Sequence, residues 1–137
     1  MLTSPLVAQD ILDLLAKRHP YYQPAAALFS LADKKKVRLY ASSVSIINTN
    51  YILSKALSEK QAREVLRKFR VLVKILPCDE KIIDLGLNSH FTDFEDAIQY
   101  YTAIENKSEM IITRNLKDFK KSGIPVMTAE EFLKSGK

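Results

Sequence analysis

Apolar positions along the chain follow two different periods. Ala25, Ala26, Leu28, Phe29 and Ala32 recur at helical spacing, as do Ile11, Leu12, Leu14 and Leu15 before them; a 3.6-residue turn returns positions i, i+3 and i+4 to one face. Between such stretches lie apolar runs too short for helices: Leu6-Val7-Ala8, Val37-Arg38-Leu39-Tyr40-Ala41, Val71-Leu72-Val73-Lys74-Ile75-Leu76 and Met110-Ile111-Ile112-Thr113. These read as strands. His19-Pro20 stops the first helix, because the residue before a proline is pushed out of the helical region. Ser42 or Ser43 can cap the helix that carries Ile46, Ile47, Tyr51, Ile52 and Leu53. Ser58-Glu59-Lys60-Gln61 and Thr128-Ala129-Glu130-Glu131 both have capping-box form. The first opens a basic amphipathic helix and the second a short terminal one. Residues 79–87 predict a further helix, and Phe91-Thr92-Asp93 leads into a longer one reaching about Glu105. Ile124-Pro125-Val126 suits an edge strand, where a missing N–H is tolerated.

Strands alternating with helices predict an α/β fold in three layers, a mainly parallel sheet of four to five strands flanked by helices. At 137 residues the chain is expected to form one domain over residues 1–137. Parallel sheets carry ligands outside the carboxyl ends of their strands. Residues just after Val7, Ala41 and Thr113 should therefore share one crevice with the first turns of the helix near Asp93.

Composition narrows the class. A hydrophobic fraction of 47% with only 3 Gly argues for a packed globule and against disorder. No apolar run approaches the roughly 18 residues of a membrane helix. The start, MLTSPLVAQD, lacks a basic leader region, and Cys78 is the only cysteine, which excludes an internal disulfide and a cysteine-rich zinc site. A cytoplasmic protein is expected. The net charge of +5 favours a polyanion or an acidic partner segment. Its distribution says more: basic residues gather at Lys34-Lys35-Lys36-Arg38, Arg63-Arg67-Lys68-Arg70 and Arg114-Lys117-Lys120-Lys121, acids at Asp93, Glu95 and Asp96. His19 and His90 are far apart, and Ser42-Ser43 has no triad partners at a recognisable spacing, so turn and capping roles account for them better than catalysis. Tyr51, Tyr100 and Tyr101 could stack on bases, although helical spacing favours core or interface positions.

Two segments carry candidate chemistry: Asp93-Phe94-Glu95-Asp96-Ala97-Ile98-Gln99-Tyr100-Tyr101 and Ile111-Ile112-Thr113-Arg114-Asn115-Leu116-Lys117-Asp118-Phe119. Asp93 and Asp96, three apart, share a helix face and repel unless a cation lies between them. Hard carboxylate oxygens suit Mg²⁺ or Mn²⁺ rather than zinc. Asp93 also sits where an N-cap belongs. Asn115 and Asp118, following a buried strand, equally suit an Asx turn.

DFEDAIQYY and IITRNLKDF resemble the third and fourth motifs of the PIN domain family, which includes the VapC-type toxins. Ser42-Ser43-Val44-Ser45-Ile46-Ile47-Asn48 resembles its second motif, and Ile11-Leu12-Asp13-Leu14-Leu15-Ala16-Lys17-Arg18 the helix after its first strand. The likeness runs from about residue 10 to about residue 134. It implies a Mg²⁺- or Mn²⁺-dependent endoribonuclease, often a homodimer, acting on RNA and neutralised by a cognate antitoxin. Carried over, Asp96 takes the place of the third-motif aspartate and Asn48 that of the second-motif acid. Asn115 stands at the fourth acidic place, with Asp118 as a substitute. Asp93 is a further candidate ligand, and Arg114 and Lys117 would steer the RNA backbone. The first motif departs: its DTN triplet falls on Val7-Ala8-Gln9, and a valine cannot bind metal. Weak metal binding, and a site damaged or rearranged, are expected. The competing reading is a non-catalytic module that binds RNA or protein through basic helix faces such as Arg63-Arg67-Arg70. A receiver-type α/β domain is poorly supported, for no phosphate-cradling glycine loop is present.

Overall fold

The computed structural model describes residues 5–8, 22–113, 116–119 and 122–135. Strand β1 (Pro5–Ala8) precedes helix α1 (Tyr22–Asp33), strand β2 (Arg38–Ser42) and helices α2 (Ser43–Ala56) and α3 (Glu59–Leu72). Strand β3 (Val73–Leu76), helices α4 (Glu80–Leu87) and α5 (Phe94–Glu105) and strand β4 (Met110–Ile112) follow. A 3₁₀ turn (Leu116–Phe119), strand β5 (Val126–Met127) and helix α6 (Ala129–Lys134) complete the order.

The five strands form one parallel sheet in the order β3-β2-β1-β4-β5. Strand β1 is central: Val7 pairs in register with Tyr40 on one side and Ile111 on the other. From β1 the chain builds outward through β2 to β3, then returns to the far side for β4 and β5. The switch point lies between β1 and β4, where an open α/β sheet holds its ligands beyond the carboxyl ends of the strands.

Alternating side chains give the sheet two covered faces. Leu39, Ala41, Val73 and Ile112 pack with Leu28 and Phe29 of α1, Phe69 of α3 and Phe132 of α6. Tyr40, Leu76 and Ile111 meet Ala103 of α5 and Phe119 of the 3₁₀ turn. This is the three-layer arrangement that the alternating pattern predicts. Helix α4 packs closely on α5 because Gly86 has no side chain: a Cβ there would stand 2.9 Å from Ile98 Cδ1.

Most of the expected elements form; the second strand shifts by one residue to Arg38–Ser42 and the fourth ends at Ile112, and three further differences are larger. The third strand starts at Val73 rather than Val71, because the amphipathic period of α3 carries the helix through Leu72. Val71 is left 83% exposed on that last turn. The edge strand shifts from residues 124–126 to Val126–Met127; Pro125 keeps only its acceptor role, receiving the Ile111 N–H at 3.0 Å. Ser58 caps α3 by accepting the Gln61 N–H, but Gln61 answers the serine hydroxyl rather than its backbone, so only half of that box forms. The box at Thr128 and Glu131 is complete. The helix expected over residues 11–15 lies outside the described residues. Among the described residues no helix is long and apolar enough to cross a membrane.

Candidate active site

Helices α2 and α5 supply two walls at the carboxyl edge of the sheet. Helix α2 begins without a loop: Ser42 ends β2 and is itself the N-cap, accepting the Ser45 N–H at 3.1 Å. Helix α5 begins at Asp93, whose carboxylate accepts the Asp96 N–H at 3.0 Å. A cap of this kind satisfies a helix-end N–H that no helical carbonyl reaches.

Of the acids singled out from the sequence, Asp96 is buried at 7% exposure in the first turn of α5, while Asp93 and Glu95 are exposed. Asp93 thus has the capping role that its position allows, with one oxygen already engaged. Its proximity to Asp96 is a capping bond and not by itself a metal pair. Asn48 is half-buried on α2. Lys117 is exposed in the Leu116–Phe119 turn, which also contains Asp118. Helix α5 packs against both β4 and that turn. Phe91, just before α5, meets Phe119 with ring centroids 5.9 Å apart. Thr113, the exit from β4, is buried, and its N–H donates to the Met127 carbonyl at 3.0 Å. Arg114 and Asn115 and the side chains of Val7 and Asp118 lie outside the described residues.

A polar chain that the motifs do not announce ties the two walls together. Gln99, one turn beyond Asp96, donates through Nε2 to Ser45 Oγ, which also receives the Ser42 hydroxyl at 3.2 Å. Gln99 is fully buried and its Oε1 has no hydrogen-bond partner; Thr102 Oγ1, one turn further, is also without one. A signal for this was present. Ser42, Ser45 and Thr49 recur on one side of an otherwise apolar helix, and Gln99 and Thr102 do the same on α5. Buried polar groups at helical spacing need partners, and the nearest are each other.

The three tyrosines divide. Tyr100 and Tyr101 join Phe91 in an aromatic cluster, and the Tyr100 hydroxyl accepts the Gly123 N–H at 3.0 Å. They are packing residues, as helical spacing favours. Tyr51 is 60% exposed, with Lys55 Nζ 4.3 Å from its ring centre. Beyond the site, Lys81 Nζ lies 2.8 Å from Glu105 Oε1, which ties α4 to α5 and raises the lysine pKa. Burial, helped by Asp79, raises that of the Cys78 thiol.

Mg²⁺ accepts one or two carboxylates and completes its shell with water and neutral oxygens. Among the described residues no three His, Cys, Asp or Glu side chains gather as a metal cluster. One buried carboxylate, Asp96, with neutral oxygens on the neighbouring helix α2 fits a sparsely ligated ion better than an all-carboxylate cage.

A family model described as a PIN domain matches residues 8–117, beginning one residue after Val7. Three solved structures share the fold. A VapBC2 complex from Rickettsia felis bound to a promoter DNA fragment is 19% identical, covering 93% of this chain and 97% of its own at a TM-score of 0.67. A toxin-antitoxin complex from Klebsiella pneumoniae is 25% identical over 92% of this chain and 98% of its own, TM-score 0.65. VapC20 from Mycobacterium tuberculosis, described as a sarcin-ricin loop cleaving toxin, is 15% identical over 79% and 87%, TM-score 0.62. No curated protein matches the sequence. With the match spanning most of the chain and the parallel sheet arranged as described, this chain belongs to the PIN domain family.

Proposed function

We propose that the chain is a single-domain, VapC-like ribonuclease, dependent on Mg²⁺ or Mn²⁺, with weak metal affinity and a cognate antitoxin as its partner. The observation that carries this reading is Asp96, a carboxylate buried in the first turn of α5. It stands where the family's third-motif aspartate stands, and a carboxylate in a low-dielectric setting attracts a cation more strongly than one in water. Asp96 is the anchor for the ion; Asn48, Asn115 and Asp118 complete or orient the shell; Lys117 and Arg114 hold the phosphate backbone. When bound, the metal supplies charge stabilisation at the phosphate and acidifies water. Asp93 acts first as the cap that fixes the Asp96 turn, and its remaining oxygen can reach the ion through water. Toxin-antitoxin complexes among the fold neighbours support the antitoxin as partner.

The test is cleavage of a structured RNA substrate with and without Mn²⁺. Metal-dependent cleavage that falls by at least about a hundredfold in Asp96→Asn supports the reading. Metal-independent cleavage, or none at any metal concentration, counts against it. The second reading, a PIN-fold module that binds without cutting, is favoured by Val7 where the family pattern has an acid. Val7→Asp separates the two: a large gain of nuclease activity identifies an eroded enzyme, and no gain leaves the binding module.

A further inference from the structure

We propose that the groove between α2 and α3 is a metal-independent binding track for single-stranded RNA, separate from the site that would cut it. This rests on the reading of RNA as ligand and adds where the strand is held. The groove is an open concavity of about 470 Å³ lined by the apolar Ile46, Ile47 and Leu66 together with Arg63, Arg67 and Arg70. The arginines are exposed and recur at one-turn spacing on α3, so their charges line up along the groove. Among the described residues no acid lines it. Asn50 also lines it, and its buried Oδ1 has no hydrogen-bond partner. Tyr51 is 60% exposed on α2, one turn beyond Ile47, which is 67% exposed. Arg70 is shared with a second concavity of about 730 Å³ that adds Lys35, Arg38 and Lys74, so the positive track continues to the edge strand β3.

Arg63, Arg67 and Arg70, with no acid in the groove's lining, repel one another, and a polyanion relieves that repulsion while releasing counterions. RNA fits better than duplex nucleic acid because the groove pairs charge with apolar side chains, and exposed Tyr51 lies one turn beyond Ile47 at its margin. Unpaired bases can stack on such a ring. Helix α2 also carries Asn48, so the track and the candidate site share a helix.

The test is fluorescence anisotropy of a short, mixed-sequence single-stranded RNA with the full chain carrying Asp96→Asn, in EDTA, across a salt series. Arg63→Gln with Arg67→Gln should weaken binding at least about tenfold and flatten the log–log salt slope by about 1.4, roughly 0.7 for each lost phosphate contact. Lys68→Gln with Lys107→Gln removes the same charge from exposed positions away from that face and should leave affinity within about threefold. Tyr51→Ala should cost about tenfold. Circular dichroism confirms that each variant is folded. Equal losses in both double variants would reduce the groove to net charge and overturn the proposal. Displacement of the RNA by polyglutamate at equal affinity, with Tyr51→Ala silent, would assign the groove to an acidic protein segment and also overturn it. Groove-dependent binding by a chain that never cuts RNA supports the track and removes only the nuclease reading.

Discussion

Two helices begin at the candidate site, and their first turns are built to opposite rules. Helix α2 springs directly from β2 with a neutral, buried cap, Ser42, and has no acid in its first turn. Its inner face continues with Ser45 and Thr49, both buried and neutral, and the resemblance places Asn48 where the family has an acid. Helix α5 starts after a loop with a charged, exposed cap, Asp93, followed by exposed Glu95 and buried Asp96. Of these two first turns, only that of α5 carries negative charge. The helix dipole favours acids at either N-terminus equally, so the asymmetry is a matter of sequence. Under the proposed function, an ion would be held from the α5 side and met on the α2 side by neutral oxygens.

Several substitutions would break or sharpen that contrast. The largest effect falls on the link between the walls. Gln99→Ala removes the bond to Ser45 and leaves a hole in a fully buried position, for about 3 kcal/mol less stability by urea unfolding. Gln99→Leu fills the hole and deletes the unpartnered Oε1, and should recover more than half of that loss. Equal losses in the two variants would show that the hydrogen bond, not the packing, dominates.

Asn48→Asp places a carboxylate on the neutral wall. It should tighten Mn²⁺ about tenfold, or about 1.4 kcal/mol by calorimetry; unchanged affinity would show that the α2 wall does not face the ion. A smaller effect separates capping from ligation at Asp93. Asp93→Ala should cost about 1 kcal/mol of stability and Asp93→Asn almost none, because asparagine caps as well as aspartate. If Asp93→Asn instead removes metal binding as fully as loss of Asp96 would, the exposed cap is the true anchor.

The fold was largely legible in the chain because its signals are local. Caps at Ser42, Ser58, Asp93 and Thr128 fall where side-chain oxygens precede apolar-periodic runs. The boundary at residues 71–73 was not legible. Val71-Leu72-Val73 satisfies a strand by composition while Leu72 also continues the amphipathic period of α3, so two signals overlap where the helix stops. At the site, the depth of Asp96 followed from its apolar neighbours Ala97 and Ile98, both buried. Two roles of Asp93, cap and ligand, were equally consistent with its spacing, and a single hydrogen bond distinguishes the first. The Ser42–Ser45–Gln99 connection could not be read directly, since it joins residues 54 apart and depends on how α2 and α5 approach.

Isothermal titration of Mn²⁺ into the wild-type chain and into folded Asp96→Asn tests the central assignment most directly. One-site binding that weakens by at least about tenfold in the variant is the expected result. Equal affinity in the two proteins would contradict it, because the only buried acid at this edge among the described residues would then have no part in holding the ion.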